Sequence, residues 1–446
     1  MSTLRIQRSL DVRHDVDVFV AGGGPAGAAA AIAAARGGAK VFLAEAGAAF
    51  GGMGTLGLVP AFMPLGDDRN VLCAGIGAEI ILRMLAADPA SAQVPLSPRQ
   101  SGSYPIFPEA LKRAYDALVA EAGVDFTFGT HLVDVVAGNG RVEAAILWAK
   151  SGLFAVRAKV FVDATGDGDL CAWAGAPYEE GDETGTCMPG TLCSQWHRID
   201  WDRVASEEML WKQGAFIEQA FRDGVFSVCD KHLPGMWRVG EDLGGGNIGH
   251  AFALRATDER SVTKALLDGR KLVLEYRKYY RDYVKSGFSD AELVATASEM
   301  GVRESRRILG DYILVVDDFL RRASFEDEIG RNNYPVDIHV MKPDSEEEFQ
   351  RFQKEFGNLR MGSGESYGIP YRALVPQRLE NVLVAGRCIS ADRSIQASIR
   401  VMPCCYVTGQ AAGAAAALAS RADGETRSVD VPALQDALRA LGAYIP

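Results

Sequence analysis

The sequence predicts an α/β fold: a parallel sheet with an attached β-meander, interrupted by an inserted α+β domain. Three observations predict it. A β-rich run at residues 16–21 passes through a glycine turn into an alanine-rich helix pattern ending at Arg36. A second strand–turn–helix unit of the same style, from Asn381 to Ala419, comes near the end of the chain. Between them, from about residue 179 to 370, the composition shifts toward aromatics, Arg and Met, and Trp196, Trp201, Trp211 and Trp237 all fall there. Strands that feed directly into helices are the pattern of parallel sheets with crossover helices.

The N-terminal unit carries the most chemistry. Residues 16–21 lead into Gly22-Gly-Gly-Pro-Ala-Gly27, a G-x-G-x-x-G, and the helix pattern follows at once. Lys40-Val-Phe-Leu-Ala44 reads as a second buried strand. Glu45 closes it, roughly 20 residues past the glycines, where an acid meets nucleotide ribose hydroxyls. Gly22 allows the tight turn, Gly24 lets backbone approach a pyrophosphate, and Gly27 lets helix and strand pack closely. Free N–H groups at the helix start face the phosphates. A G-x-G-x-x-G alone is a weak signal. Strand, glycines, helix, second strand and acid in this order predict dinucleotide binding.

The remaining elements follow in order. Ala48–Leu58 is a glycine-rich loop of the kind that lets backbone approach a flat ligand. Residues 71–85 read as an amphipathic helix, 88–108 as a polar, Pro-rich surface excursion, and Pro108 starts a helix reaching Gly123. Strands are expected at 124–128, 131–136, 141–148 and 154–162, with Asn139-Gly140 as a hairpin turn. The last of them runs into Asp163-Ala-Thr-Gly-Asp-Gly-Asp169. The inserted region is read as a long helix from Thr257 to about Lys285, a helix over 290–301, a strand over 312–316 and a solvated acidic stretch over 342–356. Gly244–Gly249 also spells G-x-G-x-x-G, but no buried strand leads into it, so it is read as a loop and not a second nucleotide site. A strand over 381–386, a small-residue helix over 403–419 and a helix over 432–441 complete the chain. These elements imply a discontinuous nucleotide-binding domain (1–66, 109–178 and 371–446), a helical excursion (67–108) and a substrate-facing domain (179–370).

Composition excludes several function classes. The chain has 446 residues, 48% hydrophobic and 24% charged, which are ordinary globular values. A net charge of −11 argues against a nucleic-acid partner. No apolar run of about 18 residues predicts a membrane span, and the Arg-bearing start lacks a signal-peptide core. Eight cysteines without a C-x-x-C fit reduced thiols, hence a cytoplasmic expectation. No His/Cys cluster has metal-site spacing, so no metal is expected.

Several stretches together resemble the glutathione-reductase-type FAD fold. They are Asp17–Glu45, Gly51-Gly-Met-Gly-Thr55, Val162–Asp169, Gly301–Gly310, Tyr334–His339, Gly368-Ile-Pro-Tyr-Arg372 and Asn381–Ala419. The chain is similar to the FAD-dependent oxidoreductases that end in a "GRCIS-AD…R-MP…GQAAG" signature, and more distantly to succinate dehydrogenase and fumarate reductase flavoproteins. The resemblance implies a Rossmann-like domain holding FAD through Gly22, Gly24, Pro25, Ala26 and Gly27 at the pyrophosphate. It implies Glu45 and Ala46 at the adenosine ribose. Gly52, Met53, Thr55, Val133, Ala164, Thr165, Gly166, Gly386, Met402 and Pro403 are its other implied cofactor contacts. The N-terminus of the last small-residue helix would point at the flavin pyrimidine, where a helix N-terminus favours negative charge. One departure concerns the ribityl chain: Arg387 stands where the usual signature has an acid, and Asp392 comes later.

Flavin chemistry is the cofactor's, and the protein supplies orientation and proton transfer. His339 is a candidate proton acceptor, with a packed core histidine as the alternative. Tyr371, beside Arg372, is a second candidate, with packing as the alternative. Arg303 and Arg307 at helical i, i+4 spacing form either a carboxylate clamp or an interdomain ion-pair network. Cys388, Cys404 and Cys405 lie near the expected flavin. The expected activity is an FAD-dependent dehydrogenase or oxidase moving a hydride from a small polar substrate to flavin N5. Oxygen or a redox partner is the expected electron acceptor, and a homodimer would be unsurprising. The alternatives are reduction of an activated C=C bond and an FAD-binding electron-transfer subunit.

Overall fold

The computed structural model describes all residues except 1–3, 6, 88–95, 101, 234, 344–346, 348, 349, 352, 353, 356 and 358. Strand β1 (Val12–Ala21) lies at the centre of the main sheet and helix α1 (Pro25–Arg36) follows it. Strand β2 (Val41–Ala44) pairs with β1 in parallel, Val20 opposite Leu43. On its other side β1 pairs in parallel with Gly152–Asp163, and the outer neighbours Asp125–Thr127 and Val382–Val384 are parallel as well. Val18, Phe19 and Val20 are all fully buried, as expected for a strand covered on both faces. The first half of Gly152–Asp163 turns to antiparallel pairing with Arg141–Ala149, which pairs with His131–Gly138. This is the expected meander.

Two small-residue helices press against one another beside the sheet. A Cβ at Gly409 would sit 2.2 Å from the Ala26 carbonyl oxygen, and one at Gly413 would sit 2.0 Å from that of Ala30. The helix Met402–Ser420 thus touches α1 backbone to backbone, which only glycine permits. A second apolar cluster, with Trp196, Trp201, Tyr276, Tyr279, Tyr280 and Phe288, lies apart from this core. It packs with a four-stranded antiparallel sheet of Met236–Arg238, Gly244–Gly246, Ser194–His197 and Glu292–Thr296.

Several expectations for the inserted region are corrected. The segment read as a helix over 290–301 contains the strand Glu292–Thr296, because it pairs with Ser194–His197, Gln195 opposite Ala295. Residues 312–315 form no strand beyond an isolated bridge, and Val316–Leu320 is a short helix. Asp318 accepts from the amide of Val315 and the hydroxyl of Tyr312, which bends the chain into that turn. Gly244–Gly246 is a strand and not a loop. Its glycines admit neighbours that a Cβ would meet: Ile199 at 2.5 Å from position 244 and Pro60 at 2.4 Å from position 245. Arg303 and Arg307 share no helix, since Arg306–Ile308 is a strand paired with Tyr178–Glu180. The Tyr334–His339 stretch has no ladder partner and runs as irregular backbone. The long helix forms as Glu259–Tyr279. The helix expected over 71–85 starts only at Ile76, after Gly75 at φ +85°. Parts of the 88–108 and 342–356 stretches lie outside the described residues.

Candidate functional site

The carboxyl ends of the parallel strands open into one long cavity of about 710 Å³. Ligand crevices of α/β sheets lie at such ends. Gly22, at φ +93°, turns the chain beneath Ala164, whose carbonyl oxygen a Cβ there would meet at 2.6 Å. Around Gly24 no atom lies within 4 Å of a Cβ position, so backbone is open to a close-lying ligand. No side chain caps the N-terminus of α1 or of Met402–Ser420, which leaves their first-turn amides available to an anion. Gly22, Gly24, Pro25 and Ala26 line the cavity at the first of these helix starts, and Met402 lines it at the second. This cradle fits a dinucleotide pyrophosphate.

Glu45 is buried at the end of β2 and also lines the cavity, with Ala46 beside it. It accepts from the amide of Gly23 at 2.5 Å and of Gly47 at 2.6 Å. Burial pushes its carboxyl up, and those two amides oppose the shift. Glu299 lines the same cavity, and its pKa is raised first by burial and then by Glu45. Gly52, Met53, Ala164, Thr165, Gly166, Gly386 and Arg387 also face the cavity. Arg387 ion-pairs with Asp167 at 2.6 Å and donates to the carbonyls of Gly166 and Val302. Asp167 thereby puts a carboxylate on the cavity lining beside Arg387.

Other expected residues lie elsewhere. Gly27 is beneath the turn, where a Cβ would sit 1.8 Å from the Gly22 carbonyl oxygen; its part is close packing and not contact. Thr55 donates to the carbonyl of Phe50 at 2.6 Å from inside the glycine loop. Val133 is solvent-exposed on the meander strand, and Thr130, His131 and Leu132 face the cavity instead. Asp392 caps the helix Arg393–Ile399 through the Ile395 amide and also accepts from the Val316 amide. Pro403 opens its helix without lining the cavity. Tyr371 is buried and donates to the Thr426 carbonyl at 2.8 Å, away from the cavity, so it is no proton-transfer residue. Arg372 pairs with Asp327 at 2.9 Å. Cys388 is buried and off the cavity, whereas Cys405 lines it, with its thiol pushed up to about 12 by burial.

A cluster of buried polar residues lines another part of the cavity. Arg303 is buried, and its guanidinium donates to the Pro189 carbonyl, Thr191 Oγ1 and Asn247 Oδ1, all neutral acceptors. Burial and then the charge of Arg400 bring its pKa down to about 10. Arg307, in contrast, pairs with Glu304 and Glu179 in an ion-pair network, so the two readings of the arginine cluster separate by residue. Arg400 pairs with Asp337 at 2.9 Å. Burial opposes ionisation of Asp337, but neighbouring His339 and the charges of Arg400 and Arg303 hold it well below the usual carboxylate range.

His339 is buried and lines the cavity. Burial, then the charge of Arg303, holds its imidazole well below the ordinary value, so it is neutral. Beside it stand two residues that sequence reasoning missed. His250 Nε2 is 3.0 Å from His339 Nδ1, and the His232 ring stacks on that of His250 with centroids 4.9 Å apart. Burial pushes His232 down to about 4. The three ligand nitrogens lie within 4.8 Å of one another. The expectation of no metal-type cluster is thereby corrected at the level of side-chain placement. Three of the chain's six histidines converge from separate loops, and no local spacing announces it.

Residues 17–438 match the family model for FAD dependent oxidoreductases. A thiamine thiazole synthase of Pyrobaculum arsenaticum is 26% identical over 276 residues, covering 58% of this chain and 97% of that protein. Among solved structures, a geranylgeranyl bacteriochlorophyll reductase-like protein from Thermoplasma acidophilum aligns with a TM-score of 0.43 at 13% identity, over 96% of this chain and 83% of that one. An anhydrotetracycline hydroxylase from Streptomyces rimosus aligns with a TM-score of 0.42 at 14% identity, over 96% of this chain and 65% of that one.

Proposed function

The chain belongs to the FAD-dependent oxidoreductase family, and from that premise we propose that it oxidises a small organic acid bearing a hydroxyl or amino group. FAD, when bound, supplies the hydride-accepting flavin. The protein's part is to grip the substrate and take the proton released with the hydride. Arg303 grips the carboxylate, and the imidazole cluster that His339 presents to the cavity receives the proton. Oxygen or an external redox partner reoxidises the flavin.

The observation that carries this reading is Arg303. It is a buried guanidinium that lines the cavity and hydrogen-bonds only neutral acceptors. A buried charge bonded to neutral groups gains most from a carboxylate, which guanidinium holds through paired hydrogen bonds. Neutral His339 beside it is in the protonation state a proton acceptor needs.

The reading is tested with matched substrates, each acid compared with its neutral amide. A preference for the acid of at least tenfold in kcat/KM (about 1.4 kcal/mol), lost in Arg303→Met with FAD retained, supports it. Equal rates for acid and amide contradict it. A second reading is reduction of an activated C=C bond, with Arg303 as the proton donor. The lowering of its pKa to about 10 favours this, because it makes the guanidinium a stronger acid than usual.

A further inference from the structure

We infer that His232, His250 and His339 form a binding site for one divalent first-row transition ion of the zinc class, with an open position facing the cavity. The outer nitrogens of two of these rings face carboxylates. His250 Nδ1 faces Asp230 Oδ2 at 3.0 Å, both groups buried, and His339 Nε2 faces Asp337 Oδ2 at 3.4 Å. These carboxylates are placed to orient the two imidazoles, although Asp230 Oδ2 and His250 Nδ1 make no hydrogen bond as they stand. The inner nitrogens, His250 Nε2 and His339 Nδ1, are 3.0 Å apart, where one ring donates to the other unless a cation takes both lone pairs.

The third imidazole makes the cation a metal rather than a shared proton. A proton satisfies two nitrogens, whereas three nitrogens within 4.8 Å describe a metal's donor set. The ring centroids lie 4.6, 4.9 and 5.1 Å apart. Imidazoles round a tetrahedral ion at the usual Zn–N distance place their centroids about 5 Å apart. Their nitrogens would lie about 3.3 Å apart, so the widest pair closes by roughly 1.5 Å. His232, the least buried of the three, lines the cavity and is the ring that would make that movement. Carboxylates beside the outer nitrogens of two ligands are placed as the groups that orient a metal-binding imidazole are placed.

Imidazole donors suit zinc, copper, iron and nickel ions better than calcium or magnesium. His232 and His339 line the cavity, so the open coordination position faces it. In the proposed oxidation a metal-bound hydroxide there, in place of an imidazole, would take the substrate proton and become bound water, since zinc lowers the pKa of its water to about 7. That role rests on the reading above; binding of the ion does not.

The test is metal retention, read separately from flavin content. FAD-loaded protein is incubated with Zn²⁺ or Co²⁺, desalted, and measured for metal by elemental analysis and for FAD by absorbance. About one equivalent per chain is expected, and the Co²⁺ form should show d–d absorption beyond the flavin band. His250→Ala, at a residue off the cavity lining, and His232→Asn should each cut retained metal at least about tenfold with FAD content unchanged. The wild-type result decides the matter alone should a variant fold poorly. Less than about a tenth of an equivalent in FAD-replete wild type means that the histidines share a proton, and it overturns the site. Metal retained equally by wild type and both variants is held elsewhere, which also overturns it. Loss of FAD or of substrate oxidation would count against the flavin reading and leaves the metal measurement standing.

Discussion

Glu45 Oε2 accepts a hydrogen bond from the Gly23 amide at 2.5 Å, so the acid that ends β2 is tied to the turn that ends β1. The two features read separately from sequence, glycine turn and acid, are one unit in space. Glu45→Ala removes an acceptor for two backbone amides and, with it, the expected ribose partner. FAD affinity should fall by about 1.5–3 kcal/mol, or roughly ten- to a hundredfold. Titration of apoprotein with FAD measures it.

Gly27→Ala acts on the same turn by sterics alone. The added Cβ would lie 1.8 Å from the Gly22 carbonyl oxygen, and both are backbone-bound, so the turn must move. FAD content after gel filtration should drop below about a tenth of wild type, with a lower Tm. Wild-type content would mean that the turn tolerates the displacement.

Tyr371→Phe should leave flavin reduction rates unchanged. The hydroxyl it removes serves the Thr426 carbonyl, away from the cavity. Urea unfolding should show a stability loss of about 1 kcal/mol. A slower reductive half-reaction would return Tyr371 to the site.

Asp169 gives a pH dependence with a definite sign. Burial first, then nearby Asp163, raises its pKa from 3.8 to about 6, with Arg306 opposing. The folded state therefore binds the Asp169 proton more tightly than the unfolded chain. Its contribution to stability falls as pH rises through that window and stays lost above it. Relative to wild type, Asp169→Asn should be more stable near pH 7 than near pH 4. Denaturant unfolding at one FAD concentration checks the difference.

The nucleotide-binding half was legible because its determinants are local. Gly22–Gly27, the apolar run of β1 and the acid after β2 each fix backbone geometry within a few residues of themselves. The polar part of the cavity was only partly legible. Arg303 and His339 stood out by residue type, but Asp230, His232, His250 and Arg400 meet them through loops whose paths depend on tertiary packing. Scarcity was the remaining signal, since a chain with six histidines has few to place by accident. Gly244–Gly246 shows the converse: a nucleotide-like spelling whose glycines answer to Ile199 and Pro60. Of the two readings of Tyr371 the packing one holds, because its hydroxyl turns toward the Thr426 carbonyl, a partner far along the chain that no local pattern announces.

The measurement that tests the central claim most directly is anaerobic mixing of the FAD-loaded protein with a panel of hydroxy and amino acids, followed through the visible flavin band. The account predicts bleaching by at least one acid, recovery of the band on admitting an acceptor, and loss of bleaching in Arg303→Met with its FAD intact. A band untouched by every acid, yet bleached by neutral alcohols or amines at equal rates in wild type and Arg303→Met, would contradict it.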